Sequence, residues 1–471
     1  MKREQLLELL APYNPWWKAT TDWQSNLPGY RRPIVDELLA DIRDLPQVIS
    51  ITGPRRVGKT TAVRQAVGLL SDRGLASENI LYFSFDDPAL FASPELQRGI
   101  FDDLVTLFKG RTPPVYFFLD EIQRLPRWEL FIKKYYDLKT PIRFVISGSA
   151  SSPIFRSSQE SLLGRIKDRH LLPFSFREYC EYKLRETPEF AGILAQHGGL
   201  REALLQEDGP GCVAATQQLD EALRQFDEPI QAAVRSYCLE GGFPEVWALS
   251  DPVRKIEYLM EQQVRKVLYE DLMMLTKYRK PENVLRFFLF LLAHPGIEIN
   301  TAKVSQQTGI ERRVIDENLP RLEMTDMILR IQKFSHQPHR VRQGNFKCYP
   351  IDMALRNAVL RQWSPPEPTT MGYLAENMVL RQLSTWPEKI EITYYREKKE
   401  VDFVLTHGGN KHLPLEVKFR DRVAQHDALR GFLKKFGGKL GVTITRQKES
   451  RCEGEIVDLP LRYFLLGCGR T

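Results

Sequence analysis

Cysteine is scarce in this chain of 471 residues, and its six cysteines are scattered. No two have the C-x-x-C spacing, which argues against zinc ribbons and thiol redox motifs. We therefore expect reduced thiols and a cytoplasmic protein. Long apolar runs are also missing, since the longest, Phe287 to Ala293, is far too short to span a bilayer. Neither a signal peptide nor a low-complexity tract is recognisable, so we expect a soluble protein without a membrane partner.

A strong excess of either charge is missing as well. The chain has 67 Lys and Arg against 60 Asp and Glu, a formal net charge of +7. A mildly basic balance is compatible with nucleic-acid binding but does not establish it. The apolar fraction of 42% is ample for packed cores. The length predicts about three or four domains.

One motif organises the rest of the chain. A β-branched stretch, Val48 to Thr52, is followed by G-x-x-x-x-G-K-T and an amphipathic segment. In this pattern the glycines let backbone N–H groups converge on phosphate oxygens, the lysine reaches the β- and γ-phosphates, and the threonine hydroxyl ligates Mg²⁺. The context of strand, loop and helix predicts an ATP-binding phosphate loop formed by Gly53, Pro54, Arg55, Arg56, Val57, Gly58, Lys59, Thr60 and Thr61.

Another apolar stretch, Val115 to Leu119, is followed directly by two acidic residues, Asp120 and Glu121. A buried parallel strand delivers the side chains at its carboxyl end to the edge of the sheet where ligands bind. We predict that Asp120 holds Mg²⁺ through water and that Glu121 orients and polarises the attacking water. Strands alternate with helices throughout this region, which predicts a doubly wound parallel sheet over residues 47–180.

The chain resembles a prokaryotic AAA+ ATPase family whose members carry a C-terminal domain of unknown function related to PD-(D/E)xK nucleases. The blocks that carry the resemblance occur in order along nearly the whole chain: Asn14-Pro15-Trp16-Trp17, the phosphate loop, Leu119-Asp120-Glu121, Ser147-Gly148-Ser149, Leu163-Gly164-Arg165 and Leu172 to Tyr179. By itself the paired tryptophan block predicts a hydrophobic plug or an anchor to another domain.

The resemblance implies several further roles. Ser149, or alternatively Ser147, takes the place of the polar residue that senses the γ-phosphate. Arg165 is the candidate arginine finger, with Arg169 as the alternative. A finger that acts in trans implies a homo-oligomer such as a ring. Residues 1–46 form an N-terminal segment, and residues 181–281 correspond to the helical lid.

Residues 282–365 follow the order helix, helix, turn, helix, strand, which predicts a winged-helix domain. Its helices are expected at 283–293, 299–309 and 311–324, with a strand from Ile328. The third helix mixes arginines with acidic residues, which weakens the case for DNA binding. The wing is more basic, with Lys333, His336, His339, Arg340, Arg342 and Lys347. Nucleic-acid contact on one side, and a scaffold or inter-subunit role on the other, are the alternatives for this domain.

Residues 366–471 contain the residues expected of a metal-dependent nuclease. Glu376 lies on a predicted helix, Asp402 at the head of a strand, and Glu416 and Lys418 on one face of the next strand. A hairpin places Asp402 beside that face, and carboxylates suit Mg²⁺. The set resembles a PD-(D/E)xK core with Glu376, Asp402 and Glu416 as metal ligands and Lys418 positioning the water, although Val401 replaces the usual proline. A basic helix at 425–436 and a final strand at 462–466 complete this part.

The sequence thus predicts an oligomeric ATPase that uses ATP and Mg²⁺ and acts on nucleic acid, with DNA favoured. The C-terminal domain cuts or grips the nucleic acid, and Mn²⁺ is a possible metal at its site. Two alternatives stay open. One is an ATP-driven assembly switch whose nuclease-like domain only binds, and the other is a protein remodeller with the same motor.

Overall fold

A computed structural model describes residues 2–18, 22–149, 162–272, 281–335, 345–364, 367–388, 390–408, 411–420 and 425–469. The chain divides into two compact units, Met1–Leu172 and Pro173–Thr471. The finer division into five ranges stays a prediction.

The N-terminal unit contains the predicted parallel sheet. Its strands are β1 (Val48–Thr52), β2 (Ile80–Ser84), β3 (Val115–Asp120), β4 (Ile142–Ser147) and β5 (Ile166–His170). They lie in the order β2-β3-β4-β1-β5, and every neighbouring pair is parallel. The α/β class and the parallel sheet predicted from the sequence are confirmed. Because β1 lies between β4 and β5, all five of its residues are buried, as its β-branched composition predicts.

Helices surround this sheet and bury their apolar faces against it. They are α1 (Arg3–Leu10), α2 (Pro33–Asp44), α3 (Lys59–Asp72), α4 (Pro88–Ala92), α5 (Pro94–Leu107) and α6 (Trp128–Asp137). Proline stands at the first position of three of them, where its missing N–H costs no hydrogen bond. Phe101, Phe117 and Phe144 pack together in the core between helix α5 and the sheet.

The paired tryptophan block seals the edge of this sheet. The indole nitrogens of Trp16 and Trp17 donate to the carbonyl of Ile80, at 3.1 and 2.9 Å. The side-chain amide of Asn14 accepts from the Tyr82 N–H at 2.7 Å and donates to the Tyr82 carbonyl at 2.9 Å. Asn14 thereby replaces the missing neighbouring strand of β2, and the hydrophobic-plug interpretation is the one the contacts support.

The C-terminal unit begins with helices α7 (Phe176–Lys183), α8 (Pro188–Gln196), α9 (Leu200–Leu205), α10 (Gly209–Ala222), α11 (Asp227–Glu240), α12 (Pro244–Trp247) and α13 (Pro252–Leu259). Two π-helical segments, Met260–Arg265 and Val267–Leu272, continue it. The later helices are α14 (Pro281–Ala293), α15 (Thr301–Thr308), α16 (Arg312–Met324), α17 (Met353–Leu360), α18 (Pro368–Leu383), α19 (Asp427–Phe436) and α20 (Leu461–Gly467).

A mixed sheet of nine strands organises this unit. Its strands are β6 (Glu298–Ile299), β7 (Ile328–Lys333), β8 (Phe346–Pro350), β9 (Glu391–Arg396), β10 (Glu400–His407), β11 (Lys411–Lys418), β12 (Gly441–Thr445), β13 (Arg451–Glu453) and β14 (Ile456–Pro460). Their order is β13-β14-β12-β11-β10-β9-β7-β8-β6. Strands β10 and β11 form the predicted hairpin, while β11, β12 and β14 are parallel. The sheet continues from β7 to β9 through a parallel pairing of Gln332 with Thr393.

Two sequence predictions in this unit are wrong. Residues 462–466 were expected to form a strand, but they lie in helix α20, whose residues are almost all buried. A fully buried apolar run has no periodicity that distinguishes a strand from a helix. The segment expected to be helical from Ile299 to Gly309 begins instead with strand β6, and its helix starts at Thr301.

The glycine pair Gly241-Gly242 has a structural role. A Cβ on Gly241 would lie 1.7 Å from Asp352 Oδ1, and one on Gly242 would lie 2.2 Å from the carbonyl of Phe174. The Asp352 carboxylate accepts from the Gly242 N–H at 2.6 Å and caps helix α17 by accepting from the Ala354 N–H. The tight approach therefore requires glycine at both positions. In the described part of the chain, no helix is long and apolar enough to cross a membrane.

Candidate functional site

The phosphate loop connects β1 to helix α3. Gly53 has a φ of 144° and Gly58 a φ of 98°, both in the region that favours glycine. A Cβ on Gly53 would lie 1.9 Å from the carbonyl of Leu171, so no other residue fits there. Helix α3 begins at Lys59 and directs the positive end of its dipole toward the loop.

Two buried cationic side chains, Lys59 and Arg32, bind the backbone carbonyls of the phosphate loop and of the residue Leu172. The Lys59 ammonium is buried and donates to the carbonyls of Gly53 and Pro54, at 3.0 and 2.7 Å. The Arg32 guanidinium donates to the carbonyls of Val57 and Leu172, both at 3.0 Å. Lys59 is thus placed over the loop where an anionic phosphate would replace the two carbonyls. Arg55, Arg56 and Thr61 lie on the same turn and the start of α3.

Asp120 lies at the carboxyl end of β3 and receives four hydrogen bonds. The hydroxyls of Thr60 and Tyr82 donate to Oδ2, at 2.6 and 2.8 Å. The Ser147 hydroxyl and the Glu121 N–H donate to Oδ1. The four donors fix the orientation of the Asp120 carboxylate. The predicted pair of magnesium-binding residues, Thr60 and Asp120, is therefore assembled.

Glu121 follows Asp120 at the end of the same strand. Its backbone is left-handed, with a φ of 50°, and Gln123 donates to its side chain. Burial raises the pKa of the Glu121 carboxyl, while the Lys59 ammonium opposes that rise. A carboxylate of raised pKa is a stronger base, which suits the predicted role of polarising water.

Ser149 and the two candidate finger arginines occupy different places. Ser149 is buried just after β4. The Arg165 carbonyl accepts from the N–H of Val48, at the amino end of β1, whereas the phosphate loop follows the carboxyl end of that strand. The Arg165 guanidinium pairs with Asp137 at 2.9 Å. Arg165 therefore does not reach the loop of its own subunit. The guanidinium of Arg169 is bound by Asp41 and Glu37.

Sequence reasoning missed Tyr82 in this site, and it left open whether Arg32 lies near the nucleotide. Tyr82 follows two apolar residues in strand β2 and is 2% exposed. A buried phenol hydroxyl usually has a hydrogen-bond partner, so the sequence contained a signal for a polar contact. It contained none for the identity of that partner, which lies 38 positions away.

In the C-terminal unit, the hairpin of β10 and β11 brings together the predicted nuclease-like residues. The register that pairs Phe403 with Leu415 sets Asp402 beside β11, and Asp402 accepts from the Val417 N–H at 2.8 Å. Glu416 is 8% exposed and pairs with Lys418 at 2.9 Å. Burial raises the pKa of Asp402 well above its ordinary value, with a further rise from Glu376 and an opposing effect from Lys347.

Lys347 is an unpredicted member of this cluster. Its ammonium lies 2.5 Å from Glu400 and 3.3 Å from Glu376, and the residue is 2% exposed. Tyr349 also donates a hydrogen bond to Glu376. Burial lowers the pKa of Lys347, but the surrounding carboxylates outweigh it and raise the pKa above its ordinary range. A lysine inside the buried strand Phe346–Pro350 was the sequence signal for a buried ion pair.

The donor atoms decide which metal sites are chemically reasonable. At the phosphate loop, a hydroxyl and a carboxylate in contact fit the hard, oxygen-preferring Mg²⁺. In the hairpin, Glu416 Oε2 is buried without a hydrogen-bond partner among the described residues, which fits a cation between Asp402 and Glu416. Glu376, by contrast, is engaged by Tyr349 and Lys347. Within the described ranges, no group of three or more His, Cys, Asp or Glu residues could hold a metal ion.

Two of the basic residues predicted on the third helix of residues 282–365 are paired on that helix. Arg312 pairs with Asp316 at 3.3 Å and Arg313 with Glu317 at 2.6 Å. Of the basic wing residues, His336, His339, Arg340 and Arg342 lie outside the described residues.

Comparison with known proteins places this geometry in context. Residues 45–180 match the family model described as an AAA domain. Residues 231–365 and 371–464 match two other models, each described as a domain of unknown function, DUF8612 and DUF4143. An uncharacterized protein of Haemophilus influenzae is 22% identical over 376 residues, which cover 78% of this chain and 81% of that protein. The uncharacterized protein MJ1637 of Methanocaldococcus jannaschii is 23% identical over 440 residues, covering 90% and 85%.

Among solved structures, the replication initiator DnaA bound to AMPPCP and single-stranded DNA matches with a TM-score of 0.26 and 15% identity. The match covers 64% of this chain and 93% of that one. The family match and the geometry of the phosphate loop together support an AAA-type ATPase domain over residues 45–180.

Proposed function

We propose that the protein is an oligomeric, Mg²⁺-dependent AAA+ ATPase that couples ATP hydrolysis to the binding or cleavage of nucleic acid, with DNA favoured. The observation that carries the ATPase half is the contact of Thr60 with Asp120 beside the loop that holds Lys59. Mg²⁺ would supply charge neutralisation at the phosphates when bound there. Lys59 would bind the phosphates, and Glu121 would polarise the attacking water.

The ATPase proposal is tested by phosphate release from ATP by the purified chain. Lys59→Ala removes phosphate binding, and Glu121→Gln keeps nucleotide binding but removes the base. We expect both variants to lose hydrolysis and Glu121→Gln to retain bound ATP. Hydrolysis that persists in both variants would show that another site is responsible.

We propose further that the C-terminal unit contacts nucleic acid through two regions. The order of α14, β6, α15, α16 and the antiparallel pair β7–β8 supports a winged-helix domain over residues 282–365. The hairpin with Asp402, Glu416 and Lys418 supports a nuclease-like core over residues 366–471. The unpartnered Glu416 Oε2 favours a divalent cation, Mg²⁺ or Mn²⁺, as the ligand of that core.

Cleavage is tested with linear and circular DNA, with Mg²⁺ or Mn²⁺, in the presence and absence of ATP. The matched variants are Glu416→Gln, which leaves the phosphate loop intact, and Lys59→Ala, which leaves the hairpin intact. Cleavage that is lost in Glu416→Gln while ATPase activity survives supports a nuclease. No cleavage under any of these conditions contradicts the nuclease half of the proposal for these substrates.

A second candidate is a switch whose nuclease-like domain only binds. The engagement of Glu376 by Tyr349 and Lys347 favours it, because this leaves one fewer carboxylate for a metal. Under this candidate, Lys59→Ala changes the sedimentation of the assembly, whereas Asp402→Ala and Lys418→Ala change neither assembly nor ATPase activity. A protein remodeller would instead show ATP-dependent unfolding of a protein client.

A further inference from the structure

A cavity of about 1180 Å³ opens in the C-terminal unit, outside the hairpin cluster. Phe419, Arg446 and Leu461 line it, and each directly follows the last residue of one of the strands β11, β12 and β14. These three strands are parallel neighbours, so the cavity lies at their carboxyl edge. Ligands of α/β sheets bind preferentially at that edge.

The cavity wall is rich in guanidinium and ammonium groups. Its cationic residues are Arg235, Arg430, Arg446, Lys448, Arg451 and Arg462, and its acidic ones are Asp427, Glu449, Glu453 and Asp458. Asp427 is already paired with Lys399, which lies outside the lining, and Arg462 is already paired with Asp227. Among the described residues, Arg235, Arg430 and Lys448 have no ion pair at salt-bridge distance, although Arg430 also interacts electrostatically with Asp427, whose hydrogen-bonded partner is Lys399. These three cations are therefore available for an anionic ligand.

The cavity also has an apolar, aromatic side. The Arg446 guanidinium lies 6.0 Å from the centroid of the Phe419 ring, and Met371, Val234 and Leu461 line the cavity as well. A flat aromatic ring beside an arginine is a stacking surface for a base, whichever base it is. Cations for phosphate and a stacking face for a base are the two halves of a nucleotide-binding surface.

The cavity begins one strand away from the nuclease-like pair. In the register of β11 and β12, Lys418 is the partner of Thr445 and Glu416 that of Thr443. Thr445 lines the cavity, and neighbouring strands are about 4.8 Å apart. A nucleotide held in the cavity would thus have its phosphate within reach of the Glu416 and Lys418 region.

We propose that this cavity binds one nucleotide unit, with its base against Phe419 and Arg446 and its phosphate among Arg235, Arg430 and Lys448. As a site for the end of a nucleic-acid strand, this inference rests on the proposed function. As a site for a free nucleotide, it stands without that function. Both sources present the same chemistry to the cavity.

The test uses the full chain with Lys59→Ala, so that the phosphate loop does not bind the probe. The probes are 5′-phosphorylated hexathymidylate and free deoxythymidine 5′-monophosphate, titrated by fluorescence anisotropy and calorimetry. The variants are Arg235→Ala with Arg430→Ala, and Phe419→Ala, with Phe419→Leu as a milder form should Phe419→Ala fold poorly. Arg254→Ala is the matched control, an exposed arginine of the same unit outside the cavity.

We expect the cavity variants to weaken hexathymidylate binding at least tenfold and the control to stay within twofold. Loss of two phosphate contacts should also reduce the slope of log Kd against log salt by about 1.4. A response of the monophosphate as well identifies free nucleotide as a ligand, and a response of the hexamer alone identifies a strand end. If the affinities for both probes are the same in all cavity variants as in the Lys59→Ala background, the inference is overturned.

The same data separate this inference from the proposed function. If long DNA binds but the cavity variants have no effect, the cavity is not the site, while the proposed function stands. If the monophosphate binds and responds to the variants but no nucleic acid binds, the cavity assignment stands and the nucleic-acid half of the proposed function falls.

Discussion

The hydroxyl of Tyr82 donates a 2.8 Å hydrogen bond to Asp120, so a tyrosine of the neighbouring strand positions the carboxylate of the proposed magnesium site. The same Asp120 oxygen accepts from Thr60, whose hydroxyl would be drawn to Mg²⁺ when the metal binds. Tyr82 then remains to hold that oxygen in place.

Tyr82→Phe should therefore raise the Mg²⁺ concentration needed for half-maximal ATP hydrolysis by about tenfold. The reason is that a hydrogen bond to a charged group contributes about 1.5 kcal/mol or more. The measurement is the Mg²⁺ concentration at half-maximal rate, with kcat and KM for ATP. Tyr116→Phe, on the adjacent strand β3, is the control. An unchanged Mg²⁺ dependence in Tyr82→Phe would show that Tyr82 only fills space.

Asn14→Ala should destabilise the N-terminal unit. The substitution leaves the N–H and carbonyl of Tyr82 unpaired at a buried sheet edge, at a cost of about 2 to 4 kcal/mol for the two groups. The melting temperature should fall by several degrees. Asn26→Ala, at an exposed position in the same segment, should leave it unchanged. Equal melting temperatures for the two variants would mean that water replaces the Asn14 contacts.

Substitution of Arg169 should affect stability, whereas substitution of Arg165 should affect catalysis. Arg169→Ala removes a guanidinium that three hydrogen bonds attach to Asp41 and Glu37, so it should lower the melting temperature. Arg165→Ala breaks a partly exposed pair with Asp137, which contributes at most about 1 kcal/mol. If Arg165 is the finger, its removal lowers kcat by about 10³ without changing stability.

Mixing inactive variants tests whether Arg165 acts in trans. A mixture of Lys59→Ala and Arg165→Ala subunits creates sites that combine an intact loop with an intact arginine. We expect the mixture to hydrolyse ATP faster than either variant alone. No recovery, in a mixture shown to co-assemble, argues that Arg165 has another role.

Lys347→Met should destabilise the C-terminal unit by about 3 to 5 kcal/mol, because it leaves Glu376 and Glu400 without their buried cation. Lys399→Met breaks a solvent-exposed pair with Asp427 and should leave stability almost unchanged. The double variant Lys347→Met with Glu376→Gln should recover part of the loss. Equal effects of the two lysine substitutions on thermal unfolding would contradict the proposed charge balance.

Asp352 should make stability depend on pH. Burial raises the pKa of Asp352 from 3.8 to about 6 in the folded protein. Because the folded state holds the proton more tightly than the unfolded one, ionisation costs stability as the pH rises from about 4 to 6. The full difference is about 3 kcal/mol. Relative to Asp352→Asn, the wild type should lose melting temperature between pH 4.5 and pH 7. A constant difference between the two proteins would refute the shift.

The parts of the site that the sequence predicted are those whose partners are close in the chain or belong to a recurrent motif. Gly53, Gly58, Lys59 and Thr60 lie within one loop, and the acids at the end of β3 are marked by the strand before them. The cap that Asn14 forms on β2 spans 68 positions, and no local pattern reveals such a contact. The sequence assigned Lys347 to the wing. Its pairing with Glu376 depends on the packing of β8 near helix α18, which no local pattern reveals.

Sequence pattern also could not decide the state of fully buried segments. Helix α20 and a buried strand present the same run of apolar side chains, and only the packing around Tyr463 and Phe464 selects the helix. The mixed charges of helix α16 were visible in the sequence, but their pairing along the helix was not.

The ladder between β7 and β9 has a mechanical consequence. Backbone hydrogen bonds join the strands of residues 282–365 to those of residues 366–471 across Gln332 and Thr393. Two bodies that share a sheet do not pivot about a hinge, because rotation would break the ladder. A displacement of the helices before β7 would therefore be transmitted through the sheet to the hairpin of Asp402 and Glu416 as a rigid-body movement.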